Sequence, residues 1–579
     1  MTLFFENKFE EAEAIFAKRS KTDPMFALGL GALGFLKAIM TFSESDLEIA
    51  AKALHHADKL ASAQLRIIAP FSLVGAASSA LNWIPGLAGK KKIMQNPEFR
   101  ASIIKAESNL LLSILFLFRE SVVSYLKAGL KLRRGHATYS SIWSQISTLS
   151  DETVKKRYDR HSMGGLYFGI GMINISLSVL PPKLLKLVSV LGFKYSQDAG
   201  LPVVEKCLTE NGFRSPVASL ALLCYSIMFQ SFAPQILTHF KPLADRVLRT
   251  SLEYYPKSAL HLYMHGRAKR LEKNIEGSSK HFNAICALKG IPVQLRHLCY
   301  YELGLNAILS NMDWAVVEKH MRTLFNENYW SRAFYAYLVG VSCLMQSQTQ
   351  TDNDAKFIEA RNWFSKVPGM VTRKFGGRVI AVEAYVIRKS ASKVIGKWMG
   401  LEVLAIWNLT NVMVPEALSK TVELISEVKA RKEVYERTNQ QPEIDSVINL
   451  VLGEAERELG HIAESTTIFE SIISTSNASP IMIPNTSTLL WTVPVAYYNL
   501  AVTTFLASDW KACKKFLELG RAKGGYEFEH RFELRMHLSS LRLEEIMKSG
   551  EKVLVPPSST SAAASSSSSK KHHRKNNSS

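Results

Sequence analysis

The chain has 579 residues, of which 47% are hydrophobic and 21% are charged, close to the average soluble globular protein. These proportions exclude a wholly disordered chain, a collagen and a small disulfide-stabilised protein. Lys and Arg (71) outnumber Asp and Glu (51), and the resulting net charge of +20 favours acidic partners without choosing among nucleic acid, an anionic membrane and an acidic protein.

The chain opens with MTLFFENKFEEAEAIF, which carries acidic side chains where a signal or transit peptide needs basic ones. Six cysteines are scattered through apolar stretches, and no two have Cys-x-x-Cys spacing. We therefore expect free thiols and a reducing, intracellular compartment.

Most of the chain has the period of an α-helix, because apolar residues recur three and four positions apart. A clear stripe runs through Ile103, Leu111, Ile114, Phe118 and Val122. Strand-like alternation is rare. The pattern predicts an all-α protein.

A tetratricopeptide repeat is a helix pair of about 34 residues. It needs a small residue in the first helix, a second small residue about twelve positions later, and a large apolar residue about four further on. The small residues allow close packing, and the large one fills the gap between neighbouring repeats. Four such triplets occur in chain order: Gly266, Ser278, Phe282; Gly304, Val316, His320; Gly453, Ser465, Phe469; and Ala501, Cys513, Leu517.

Two incomplete repeats accompany these triplets. Ala360 and Phe364 indicate a second helix, and Leu338–Gly340 indicates the first helix before it. At the start, Ala12 and Phe16 with Pro24 fit a second helix and its terminator, so the first repeat is truncated or incomplete. The sequence predicts an α-solenoid of divergent helix pairs. We expect an N-terminal helical region (1–250), tetratricopeptide-like repeats (251–555) and a disordered, Ser-rich basic tail (556–579).

Three long spans carry no charge: residues 67–89, 161–182 and 215–240. Each is long enough to cross a bilayer, which needs about 20 residues. Their prolines, glycines and amides favour buried core helices instead. The alternative is a peripheral protein that rests on a lipid surface through the apolar helices in 67–89 and 161–240. Basic side chains nearby are candidate contacts for an acidic surface: Lys90, Lys91, Lys92, Lys131, Arg133 and Arg134.

No pattern of catalysis or cofactor binding emerges from the sequence. Gly29, Gly31 and Gly34 match a dinucleotide-binding pattern, but a turn and a helix start precede them instead of a strand, which favours a close helix contact. His261 and His265 share a helix face without a third ligand, so a hydrogen-bonded pair is favoured over a metal site. We expect no catalytic residue, no metal and no cofactor, and we expect no nucleic-acid partner because no recognition module is present.

Several stretches together resemble the tetratricopeptide repeat protein 39 family, which includes the fungal inclusion body clearance protein. The stretches that carry the resemblance are 7–13, 27–29, 37–42, 100–107, 126–133, 164–181, 191–193, 330–333, 337–338, 367–370 and 387–389. The Ser-rich tail is not part of the family pattern.

The resemblance implies a non-enzymatic helical-repeat adaptor or scaffold. It implies a link to the clearance of protein inclusions and to lipid-droplet or sterol homeostasis. It also implies a cytoplasmic or nuclear location, with peripheral association with lipid droplets or an organelle membrane as the alternative. The protein partners cannot be named from it.

Overall fold

The protein was analysed as a computed structural model. It describes residues 2–41, 43–68, 94–118, 122–178, 200–327, 330–371, 379–392, 394–430, 441–478 and 489–551. Within these ranges the regular secondary structure is helical and includes no strand. The predicted all-α solenoid class is therefore confirmed. The predicted tail (556–579) and the segment 69–89 lie outside the described residues.

The N-terminal part is a succession of antiparallel helices. They are α1 (Thr2–Phe5), α2 (Phe9–Arg19), α3 (Pro24–Thr41), α4 (Glu44–Ile68), α5 (Asn96–Phe118), α6 (Val122–Ile146), α7 (Asp151–Arg157), α8 (Arg160–Ser178), α9 (Gly200–Thr209), α10 (Ser215–Phe232, with a π-helical turn at Cys224–Met228) and α11 (Lys241–Tyr254).

The second part contains the helix pairs that the repeat pattern predicts. Its helices are α12 (Ala259–Leu271), α13 (Ile275–Cys286), α14 (Val293–Asn311), α15 (Trp314–Glu327), α16 (Arg332–Gln346), α17 (Ala355–Lys366), α18 (Ala381–Ser390), α19 (Trp398–Trp407), α20 (Pro415–Ala430), α21 (Gln441–Leu459), α22 (Ile462–Ala478), α23 (Leu489–Leu506), α24 (Trp510–Arg521) and α25 (Glu529–Ser549).

The second helices of several pairs are capped at their N-termini by an Asn or Asp side chain. Asn274 accepts a hydrogen bond from the Gly277 amide before α13, and Asp509 accepts one from Ala512 before α24. Asp354 does the same at the start of α17. Each side chain satisfies an amide that the first helical turn leaves without a partner. These caps explain why a helix starts promptly after each short turn.

Helix crossings within the pairs depend on glycine. A Cβ atom at Gly266 would lie 2.8 Å from the Phe282 ring, and one at Gly453 would lie 2.7 Å from the Phe469 ring. Either contact is too short for a side chain, so the two helices approach closely only because glycine stands there. Gly340 of α16 faces Phe364 of α17 in the same way.

The apolar spans that could be mistaken for membrane helices are packed inside the protein. Along 161–178 only His161 and Ser176 are exposed, and no residue in 215–240 is exposed. By length and composition alone, three described helices could cross a membrane, namely Pro24–Thr41, Asn96–Phe118 and Ser215–Phe232. The described part of 161–182 is not among them.

Gly29, Gly31 and Gly34 lie in the middle of α3, away from any strand. Cβ atoms at these positions would meet Phe16 of α2 and Leu54 and Ala50 of α4. The three glycines therefore let α3 pack between its two neighbours, and they form no phosphate-binding turn.

The side of the repeats that carries Arg267 is called the inner face below. It is covered by other parts of the same chain. Arg267 of α12 contacts Ser231 of α10, and the π-helical turn of α10 packs on α12. The last helix, α25, also contacts α10. A cleft remains between α10, α11 and α12 on one side and α21 and α23 on the other.

Candidate functional site

Two helix pairs carry an arginine that the repeat pattern alone does not require. Gly, Arg, Ser and Phe have the same spacing in α12–α13 (266, 270, 278, 282) and in α21–α22 (453, 457, 465, 469). The Arg270 guanidinium lies 5.7 Å from the centroid of Phe282, and that of Arg457 lies 5.9 Å from the centroid of Phe469. Each arginine then points toward the first helix of the next pair, on the inner face.

Around Arg270, two arginines of α12 bind one carboxylate, that of Glu302. Arg267 Nη1 donates to Glu302 Oε1 at 2.7 Å, and Arg270 Nη1 donates to Glu302 Oε2. Tyr263 also donates to Glu302, at 2.7 Å. Burial would raise the pKa of Glu302, but Arg270 and Arg267 outweigh it and lower that pKa to about 2. Both arginines therefore have a carboxylate partner, while Arg267 Nε makes no hydrogen bond to a described residue.

Around Arg457 the partners are amides. Its Nη1 donates to Asn499 Oδ1 at 2.6 Å, and its Nη2 donates to Asn411 Oδ1. The side chain is only 1% exposed. Asn499 Nδ2 donates to Glu454 Oε1 at 3.1 Å, and burial raises the pKa of Glu454. Among the described residues no carboxylate accepts a hydrogen bond from this guanidinium, and Glu458 Oε1 lies 3.6 Å from its Nε.

A cleft of about 930 Å³ opens beside Arg457, a volume within the usual range of ligand sites. Ile227, Leu271 and Leu506 contribute to its apolar walls. Gln230 also lines it, is 7% exposed, and makes no side-chain hydrogen bond to another described residue. An amide can donate to a carbonyl and accept from an N–H at once. The cleft thus offers apolar walls and a free amide.

The rim of the cleft is held by paired charges. Lys273 Nζ donates to Glu458 Oε2 at 2.7 Å, and Gln235 Nε2 donates to Glu458 Oε1 at 2.8 Å. Lys241 donates to Glu272 at 2.6 Å. These bonds join α11 and α12 to α21. Because the rim is close to neutral, the cleft suits an uncharged polar chain such as a polypeptide backbone.

Two groups of side chains in the described residues have the spacing of a metal site. In Glu318, Cys343 and Glu359 the carboxylates are already bound by Arg322 and Lys356. The other group is Glu456, His461 and Glu464, which lies in the exposed turn before α22. Cations compensate the first group and water surrounds the second, so neither arrangement points to a metal.

His261 and His265 do not converge on a common ligand. His261 is buried, with Nε2 at 2.8 Å from Ser219 Oγ and Nδ1 at 2.9 Å from Ser258 Oγ. His265 stacks on His281. The i, i+4 spacing reflects hydrogen bonding and ring packing.

The predicted repeat-packing residues have the following positions in the structure. Phe282 lies against Gly266 and shares a core cluster with the next first helix, α14. Gly304 faces the Met321 side chain, with His320 farther away, so the gap-filling residue of that pair stands one position later than the sequence suggested. The remaining members, Ala12, Ser278, Ser465, Ala501 and Cys513, are buried, while Phe16 lies against Gly29.

The predicted acidic-surface contacts differ in their availability. Lys131 is mostly buried and bound to Asp58 at 3.1 Å, so it is already engaged within the protein. Arg133 and Arg134 of α6 are exposed. Lys90, Lys91 and Lys92 lie outside the described residues.

The family model for Iml2/Tetratricopeptide repeat protein 39 matches residues 1–459. The chain belongs to this family. The tetratricopeptide repeat protein ttc-39B of Caenorhabditis elegans is 26% identical over 546 residues, covering 93% of this chain and 90% of that protein. The crystal structure of yeast Tom70 matches with 14% identity and a TM-score of 0.28, covering 89% of this chain and 97% of that chain.

Membership confirms the family that the sequence resembles, and it supports a helical-repeat scaffold. The family match includes α10, α12 and α21, while α23 and α25 lie outside it. Sequence reasoning missed the arginines at 270 and 457. Their signal was the equal distance of each from its glycine and phenylalanine.

Proposed function

We propose that this chain is a non-enzymatic adaptor that holds a polypeptide segment of a partner in the cleft beside Arg457. The observation that carries the proposal is the unpaired Gln230 amide between apolar walls. Such a cleft binds main-chain amides without needing a particular charge. A scaffold function also agrees with the family, whose members are helical-repeat proteins.

We further propose that the adaptor works in the clearance of protein inclusions and in lipid-droplet or sterol homeostasis. The resemblance to the fungal inclusion body clearance protein supports this role. The corresponding location is the cytoplasm, with a nuclear pool or a peripheral pool on lipid droplets or an organelle membrane. Catalysis has no part in the proposal.

The test is complementation in cells that lack the protein, with clearance of a fluorescent misfolded reporter as the readout. Ala507 is exposed at the cleft, so Ala507→Trp fills the cleft without disturbing the core. We expect this variant to be soluble and to clear the reporter several-fold more slowly. Ala14→Trp, at an exposed position of α2, is the matched control. Normal clearance by Ala507→Trp would contradict the adaptor mechanism.

A second candidate function is attachment to a lipid surface, and the exposed face of α6 favours it. Val123, Leu126 and Leu130 are 60%, 67% and 56% exposed, and Arg133 and Arg134 continue the same face. An apolar stripe beside basic residues is typical of helices that lie on anionic membranes. This face replaces 161–178 and 215–240 as the proposed contact, because those segments are packed inside.

Leu126→Glu tests the lipid candidate. The side chain is exposed, so the fold should tolerate the change, while insertion into a bilayer should not. We expect flotation with phosphatidylcholine vesicles containing 30% phosphatidylserine to fall severalfold. Ile358→Glu, at an exposed position of α17, should float like the unchanged protein. Equal flotation of both variants would overturn the contact.

A further inference from the structure

The inner face of α25 carries two arginines one helical turn apart, Arg531 and Arg535. Positions four apart on a helix lie side by side, and like charges there repel. Arg535 is 1% exposed and lies over the rings of Tyr498 and Phe532, at 5.2 and 5.3 Å. Its Nε and Nη1 have no hydrogen-bond partner among the described residues, and the same holds for Nε of Arg531.

These arginines adjoin the two clusters of the repeats. Arg531 lies 5.7 Å from the ring centroid of Trp407, whose indole N–H donates to Tyr301 OH at 2.6 Å. Tyr301 is the neighbour of Glu302 in α14. Arg535 lies over Tyr498, the neighbour of Asn499, which holds Arg457. Arg531 also interacts electrostatically with Arg267, and Arg535 with Arg457, so the arginines of α25 lie close to those of the two helix pairs.

The acids of this face do not balance its cations. Five arginines are present (267, 270, 457, 531 and 535), against the buried carboxylates Glu302 and Glu454. Glu302 is taken by the two arginines of α12. Glu458, 3.6 Å from Arg457 Nε, is already bound by Lys273. Among the described residues no carboxylate forms an ion pair with Arg531 or Arg535, so cations outnumber carboxylates on this face.

Such an excess is costly in a protein interior, where buried charges are normally paired. The pKa values respond in the expected direction. Burial, followed by the charge of Arg535, lowers the pKa of Arg531 to about 10. Burial also lowers the pKa of Arg535, with Arg457 acting in the same direction. The protein gains stability if an anion supplies the missing negative charge.

We propose that Arg531 and Arg535, together with Arg457, form an interior site for a small polyanion that bears phosphate groups. Guanidinium groups bind phosphate oxygens through paired hydrogen bonds, and the unused N–H groups of Arg535 are donors of this kind. The 930 Å³ cleft is lined by Arg457 and not by Arg531 or Arg535, so it reaches the site from the Arg457 side and offers an entry path there; Lys241 and Lys273 at its rim are paired with Glu272 and Glu458. The site does not depend on the adaptor function, since the cleft could serve either role without the other.

The test uses the purified full chain after exhaustive dialysis, with inorganic triphosphate as the probe. We expect 1 mM triphosphate to raise the melting temperature by several degrees, as a ligand that binds only the folded state does. NaCl at the same ionic strength should give a much smaller shift. Arg535→Gln should lose the response, and Arg361→Gln, which removes an exposed arginine of α17, should retain it.

A vesicle measurement distinguishes a soluble anion from a lipid headgroup with the same chemistry. Flotation with vesicles containing 5% phosphatidylinositol 4-phosphate, lost in Arg535→Gln, would identify a headgroup. A triphosphate response without flotation would identify a soluble anion, and either result supports the site. The proposal is overturned if neither occurs, or if Arg535→Gln responds like the unchanged protein. Arg531→Gln, at a half-buried position, serves as the second variant if Arg535→Gln does not fold.

Discussion

The pairs α12–α13 and α21–α22 pack alike but treat charge in opposite ways. In both, a glycine receives a phenylalanine ring, and an arginine four residues after the glycine reaches the next first helix. In the first pair that helix supplies Glu302, whereas in the second it supplies Asn499. The close helix packing of a repeat can thus be kept while the residue that binds its arginine changes from a carboxylate to an amide.

This difference determines where the arginine of each interface finds its hydrogen-bond acceptors. The first interface is complete in the sense that each of its two arginines pairs directly with a carboxylate, that of Glu302. In the second, Arg457 takes oxygens from Asn499 of the next repeat and Asn411, outside it. A complete interface should resist any change of conditions except the loss of its own carboxylate. An incomplete one should respond to added anions.

The largest effect should come from Glu302→Gln. Removing one partner of a buried ion pair leaves uncompensated charge and typically costs about 3–5 kcal/mol. We expect the free energy of unfolding in urea to fall by about this amount. Glu454→Gln is the matched change in the second pair and should cost less, because burial already raises the pKa of that carboxyl. Equal losses would show that the two interfaces do not differ.

Gly266→Leu and Gly453→Leu should have the next largest effect and should match each other. Each side chain would be forced into a phenylalanine ring, and overpacking costs about 1–3 kcal/mol. Gly129→Leu in α6 is the control, since a Cβ there meets nothing within 4 Å. Unchanged melting temperatures in both repeat variants would contradict the assigned helix crossings.

Acidification should lower the stability of the protein around α11 and α12, where three histidines are buried or half-buried. Burial lowers the pKa of His239, His261 and His265 to about 4. The unfolded chain binds these protons near pH 6.5, so their contribution is complete above that pH and is lost as the pH falls toward 4. We expect the melting temperature to drop by roughly several degrees between pH 7.5 and 5.0.

His461, in the pair α21–α22, should change the stability with pH in the opposite direction. A hydrogen bond to Glu456 raises the pKa of His461 in the turn before α22. Its contribution is therefore present below pH 6.5 and fades as the pH rises through the raised value. His261→Gln should reduce the drop between pH 7.5 and 5.0, and His461→Gln should not. A melting temperature that rises on acidification would contradict the assignment.

Helix crossings of a repeat can be predicted from a sequence, because close packing requires small residues at a fixed spacing. Gly266, Ser278 and Phe282 stand at fixed distances that any helix pair of this kind requires. Charged residues that meet in the fold have no such fixed spacing in the sequence. Arg535 meets Arg457 only because α25 returns to the inner face, and Lys131 meets Asp58 only because α4 and α6 both pack on α5.

The cleft could not be predicted for the same reason. Its walls come from α10, α11, α12, α21 and α23, which are far apart in the chain. Gln230 lies in a span that the sequence marks only as uncharged. That span was expected to be buried, and the structure adds that one of its amides faces an opening.

The most direct test of the difference between a buried arginine that is paired with a carboxylate and one that is not is thermal unfolding of Arg270→Gln and Arg535→Gln in a dialysed, phosphate-free buffer. Arg270 is paired with Glu302, so its loss should lower the melting temperature. Arg535 is buried without an ion pair to a described residue, so its loss should leave the melting temperature unchanged or raise it. A fall of similar size in both variants would contradict the account.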